Sequence, residues 1–181
     1  MTKWQRAGIK LVFAFAIALI VNWALLQLLG QKSAYRAEHS FVGVVFLMAY
    51  VFLFRTHNGS RAGSVGFFFG ALLPCYCGTV FPDADITLFG IGGHRNPLFH
   101  SCLSYYALSW LVRDWKYTVT QPLVTGYGIG LASHLWWDVF DYGDVRWLPG
   151  SMFDRLWLGA NGIGAIIPLR HNTQPSQQVK I

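Results

Sequence analysis

A chain of 181 residues has room for one domain, and with 54% apolar, 17% aromatic and only 12% charged residues it falls well short of the roughly 25% charge of a soluble domain. The net charge of +6 does not mark a nucleic-acid binder, because Lys3, Arg6, Lys10, Lys32, Arg36, Arg55, Arg61, Arg113 and Lys116 lie scattered between apolar runs. The composition points to a membrane protein whose first partner is the lipid bilayer, with no nucleic acid.

A helix needs roughly 20 residues to cross a hydrocarbon core about 30 Å thick, and this rule predicts the spans in turn. Ile9 to Leu29 follows Lys3, Arg6 and Lys10; it is longer than a secretory h-region and lacks an A-x-A cleavage site, so a retained first span is expected. The second is predicted over Ala37 to Phe54 and the third over Ala62 to Phe81. Cys75, Cys77 and Cys102 make no paired C-x-x-C pattern and are expected as small buried residues.

A fourth span is predicted from Pro97 to about Val112, with Asn96 as N-cap. The fifth covers Gln121 to Phe140, where Gly126, Gly128 and Gly130 would admit a neighbouring helix at short range. Met152 to Pro168 is apolar but short and interrupted by Gly159, Asn161, Gly162 and Gly164; a short sixth span is preferred over an interfacial segment. Trp4, Trp110, Trp115, Trp136, Trp137 and Trp147 fall near span ends, as interfacial anchors do. The expected fold is all-α: a polytopic transmembrane bundle of five or six helices forming one membrane-embedded domain over residues 1–170, with a polar tail over 171–181.

The chain has only eight acidic residues, and Asp83, Asp85, Asp138 and Asp141 fall at predicted helix ends beside histidines. Carboxylates at that depth are costly without a partner, and a bound cation would supply one. On the fifth helix, His134, Asp138 and Asp141 follow at intervals of four and three and share a face. Asp83 and Asp85 follow Pro82 at the end of the third helix, while His94 and His100 flank the start of the fourth, where Gly92 and Gly93 allow a tight turn. Counting crossings through antiparallel spans brings all three groups to one membrane face.

Imidazole and carboxylate without thiolate suit zinc, manganese or iron. Seven candidate side chains exceed the needs of one tetrahedral ion, so either some orient ligands and move protons, or two ions share the site. Asp85, His94, His100, His134 and Asp138 are the expected ligands, Asp83 or Asp141 the expected base, and Arg95 a candidate for holding an anionic, lipid-like substrate through its planar donors. His39, His57 and His171 are assigned no chemistry.

Pro82-Asp83-Ala84-Asp85, His94-Arg95 with His100-Ser101, and His134-Leu135 with Asp138 together resemble the LexA-regulated, membrane-bound metal-dependent hydrolases of the bacterial inner membrane. The resemblance covers roughly residues 70–142 and implies a metal site built from Asp83, Asp85, His94, His100, His134 and Asp138. The expected function is hydrolysis of an ester or phosphoester of a lipid or lipid-linked molecule, with zinc foremost among the metals. The rival is a non-catalytic protein with a structural metal site, or a metal-ion transporter. Lys3, Arg6, Lys10, Arg55, Arg61, Arg113 and Lys116 share one side and Lys32, Arg36, Arg95 and Arg146 the other, which places the metal face away from the cytoplasm.

Overall fold

The computed structural model describes residues 34–55, 61–141, 145 and 151–167; the predicted first span and the polar tail lie outside them. The described residues form six α-helices and no strand. They are α1 (Ala34–Tyr50), α2 (Arg61–Val80), α3 (Ala84–Phe89), α4 (Leu103–Leu111), α5 (Tyr117–Asp141) and α6 (Ser151–Gly164). A π-helical turn, Val51–Arg55, extends α1, and a 3-10 turn, Ile91–Gly93, follows α3.

Helices occupy the predicted second, third and fifth segments, as α1 with its π turn, α2 and α5, but among the described residues only the first two contain a window long and apolar enough to cross a membrane. The windows Glu38–Arg55 and Ala62–Val80 are long and apolar enough to cross a membrane. The predicted fourth span departs from the structure, since α4 has nine residues and reaches only about 14 Å at 1.5 Å per residue. Its first turns are lost because side chains take the backbone groups a helix from Pro97 would have paired internally. Ser101 Oγ donates to the Leu98 carbonyl, Trp157 Nε1 donates to the His100 carbonyl, and Asn161 Oδ1 accepts the Cys102 N–H. The candidate sixth span, α6, has 14 residues, about 21 Å, and is likewise shorter than a bilayer core.

At the centre stands α5. On one side it shares a core with α1 and α2 through Val44, Leu47, Phe67, Ala71, Cys75 and Ile129; on the other it packs with α4 and α6 through Tyr105, Val112, Leu131, Leu135 and Leu158. A Cβ on Gly126 or Gly130 would collide with the carbonyl of Ala71 or Cys75, and one on Gly78 with the backbone at Tyr127 and Leu131. Gly128 faces the Ala165 carbonyl and the Tyr105 ring. The α2 and α5 backbones are therefore in direct contact, as the glycine run predicts.

The contacts pair Ala71 with Gly126, Cys75 with Gly130 and Thr79 with His134, so α2 and α5 run parallel and end together. Gly43 of α1 meets Thr79 and Ser133, and His39 meets Asp138, so α1 is antiparallel and starts where the other two finish. Of the cysteines, Cys75 is buried, with its thiol on the Gly43 carbonyl. Cys77 is exposed, contrary to expectation, because two residues along a helix turn a side chain to the opposite side. Trp110 and Trp115 are exposed, whereas Trp136 covers Gly162 of α6.

Candidate metal centre

The shared end of α1, α2 and α5 carries the polar cluster. α2 stops at Pro82, and Asp83 stands at the N-cap of α3 with its side chain buried; Asp85, in the first turn of α3, is fully buried. Gly90 and Arg95 adopt left-handed φ values of 71° and 63° and reverse the chain, which brings the 94–102 segment back over α3. Gly92 and Gly93, expected to make that turn, lie instead in the 3-10 turn.

An ionised carboxylate only accepts hydrogen bonds, and this fixes the proton positions on the histidines. Asp85 Oδ1 is 3.0 Å from His94 Nδ1 and Oδ2 is 2.9 Å from the Asn96 N–H, so His94 carries its proton on Nδ1. His100 Nδ1 lies 3.3 Å from the Asn96 carbonyl and 3.5 Å from Asp85 Oδ2, and it too must donate. His134 Nδ1 donates to the Thr79 carbonyl at 2.7 Å, a bond that joins α5 to the end of α2. In their neutral forms all three rings therefore carry the lone pair on Nε2.

These Nε2 atoms converge on two carboxylates. His134 Nε2 is 3.3 Å from Asp138 Oδ2 and 4.0 Å from Asp83 Oδ1; His100 Nε2 is 3.6 Å from Asp138 Oδ2; His94 Nε2 is 4.0 Å from Asp83 Oδ1. His100 and His134 are fully buried, and neither Nε2 makes a hydrogen bond. Lone pairs facing carboxylate oxygens in a dry pocket repel unless a positive charge lies between them. Three groups, His39 with Asp83 and His134, Asp83 with His94 and His100, and His100 with His134 and Asp138, each present ligand atoms within 4.8 Å of one another. The buried cluster could hold a metal ion.

At Asp85 and His100 the electrostatics agree with this division of tasks. Burial opposes ionisation of Asp85, but the bonds from His94 and the Asn96 N–H, reinforced by the charges of His100 and His94, more than offset it and hold its carboxyl below the usual range. Burial, with the neighbouring His134, pushes His100 down to about 3, which leaves the ring neutral as a metal ligand must be.

The structure brings Asp83, Asp85, His94, His100, His134 and Asp138 together. Asp85, expected as a ligand, has its two oxygens on His94 Nδ1 and the Asn96 N–H, with His100 Nδ1 3.5 Å away. Asp83, expected as a base, stands within reach of the ligand nitrogens. Asp141 is the last residue of α5, and its side chain lies outside the described set. Arg95 follows His94 directly, and its charge acts on His39.

His39 was assigned no chemistry from sequence, yet it is buried, stacks on His134 with ring centroids 3.9 Å apart, and places Nε2 3.7 Å from Asp138 Oδ1. The signal was available in the crossing count. An antiparallel second span must begin on the face where the third ends, so its first-turn histidine belongs with Asp83. No family model, curated protein or solved structure matches the chain.

Proposed function

We propose that the protein is a metal-dependent hydrolase of the bacterial inner membrane, acting on an ester or phosphoester of a lipid or lipid-linked molecule. The observation that carries this reading is the convergence of the His94, His100 and His134 Nε2 atoms on Asp83 and Asp138, each ring held by a hydrogen bond at Nδ1. Imidazoles so oriented are the usual form of a protein metal site, and the absence of thiolate among these side chains favours zinc, manganese or iron over a closed structural zinc. The motif resemblance to LexA-regulated membrane-bound hydrolases supports the same reading.

A divalent cation held by His94, His100, His134 and Asp138 would supply Lewis acidity to the reaction. The chain supplies the rest. Asp85 holds the His94 tautomer, the Asn96 carbonyl that of His100 and the Thr79 carbonyl that of His134, while Arg95, next to His94 in the chain, carries the positive charge assigned to an anionic headgroup. We assign the proton-accepting role to Asp141, the last residue of α5. In the reaction the water oxygen joins the acyl carbon or phosphorus and the bond to the alcohol oxygen breaks. One water proton passes through the base to the leaving alkoxide.

Membrane residence is supported by the surfaces of α1 and α2. Their candidate spans are only 33% and 44% buried, and Phe46, Phe52, Phe69 and Leu73 remain exposed, whereas the core helix of a soluble protein would be mostly covered. With Arg55, Arg61, Arg113 and Lys116 on the cytoplasmic side, the metal face is directed away from the cytoplasm.

Purified protein should carry stoichiometric metal and hydrolyse members of a phospholipid and ester panel, and both properties should fall together in His134→Ala and Asp138→Ala. Asp141→Asn should keep the metal and lose turnover. Full metal retention in both ligand variants would refute the site. Metal-driven uptake into liposomes without hydrolysis would instead establish a transporter.

A further inference from the structure

We infer that the centre holds a pair of divalent cations bridged by Asp83 and Asp138, with His39 a ligand to one of them. This rests on the metal reading above and deepens it. One tetrahedral ion takes four ligands. Six side chains present an imidazole nitrogen or a carboxylate oxygen here, and their arrangement divides them in two.

One half comprises His39 and His134, the other His94 and His100. The group of His39, Asp83 and His134 and the group of Asp83, His94 and His100 share no histidine, but they share Asp83. The third group, His100 with His134 and Asp138, takes one histidine from each half and adds a second carboxylate. Asp138 turns Oδ1 toward His39 at 3.7 Å and Oδ2 toward His134 at 3.3 Å and His100 at 3.6 Å. Each half thus has two imidazoles, and two aspartates lie between the halves. This is the ligand supply that two cations about 3.5–4 Å apart require.

A single ion leaves part of this set unexplained. Seated among His100, His134 and Asp138, it would satisfy the two orphaned Nε2 atoms but leave buried His39 without a place in the site, its Nε2 3.7 Å from Asp138 Oδ1 and its Nδ1 without a hydrogen bond. Seated between Asp83, His94 and His100, it would abandon His134. The near-parallel stack of His39 on His134, inclined by 18°, aligns the two rings side by side at the α1–α5 contact. Two cations bring four positive charges against the bridging Asp83 and Asp138, with Asp85 acting through its histidines. The surplus positive charge suits an anionic substrate.

The test uses the whole protein in detergent micelles, saturated with Mn(II) and freed of unbound metal. Elemental analysis should find two ions per chain, and low-temperature electron paramagnetic resonance should show the exchange-coupled spectrum of a bridged pair. His39→Ala and His94→Ala, which each weaken a different half, should both fall to one ion and display the hyperfine pattern of an isolated Mn(II). If one variant fails to fold, the other together with the wild-type spectrum decides. One ion per saturated wild-type chain, retained in His39→Ala, would overturn the pair and leave the single-metal reading standing. Two ions without coupling would overturn the bridging. No bound ion would overturn both readings.

Discussion

Replacing Asp85 by asparagine separates an orienting carboxylate from a ligand, because the shapes match while the hydrogen-bonding capacity does not. In the structure Asp85 is fully buried and accepts from His94 Nδ1 at 3.0 Å and from the Asn96 N–H at 2.9 Å, with His100 Nδ1 a further 3.5 Å contact. An amide has one accepting oxygen and one donating NH2, so it can serve Asn96 or His94 but not both. If the oxygen stays with Asn96, the NH2 faces His94 and drives its proton to Nε2, into the space where the cation would sit. If it stays with His94, two buried N–H donors oppose each other. Loss of such an outer partner typically lowers metal affinity about 10- to 100-fold, or about 1.4 to 2.8 kcal/mol at 1.4 kcal/mol per decade. Competition against a fluorescent chelator in micelles should therefore show a weaker Kd with the same capacity at saturation. An unchanged Kd would refute the reasoning; an ion missing at saturating metal would show that Asp85 is itself a ligand.

Gly130→Ala places a Cβ against the Cys75 carbonyl, which backbone contact prevents from moving, and should cost about 1–3 kcal/mol as overpacking does. Gly66→Ala meets nothing within 4 Å and should stabilise α2 by up to about 1 kcal/mol, so thermal midpoints in detergent should move in opposite directions. Acid should destabilise the chelator-treated protein. His100 is depressed in the fold from 6.5 to about 3, so its neutral form supports the fold fully above pH 6.5 and the unfolded chain gains protons first below it. Asp85, also depressed, adds stability above its unfolded value of 3.8 that disappears at lower pH. The unfolding midpoint should thus be level between pH 7 and 8 and decline from 6.5 toward 5; a rise toward pH 5 would contradict the proton assignments.

Much of the bundle was legible because hydrophobic runs and glycine spacing are local properties. The π-extended α1, α2 and α5 lie close to where length and apolarity predict them, and Gly126, Gly128 and Gly130 meet neighbouring elements closely. The start of α4 was not legible, because Trp157 and Asn161, some sixty residues away, take the backbone groups that Pro97 to Cys102 would otherwise pair. No local pattern carries that information.

By itself the sequence determined which chemistry is present: imidazoles and carboxylates at the ends of apolar segments. Only the tertiary structure decided what each group does. Asp83 and Asp85 are indistinguishable as a D-x-D motif, yet one lies 4.0 Å from Nε2 of His94 and of His134 and the other 3.0 Å from Nδ1 of His94, since two residues along a short helix change what a side chain meets. His39 joins the cluster because α1 packs antiparallel against α2 and α5, a contact between distant segments set by Gly43, Thr79 and Ser133.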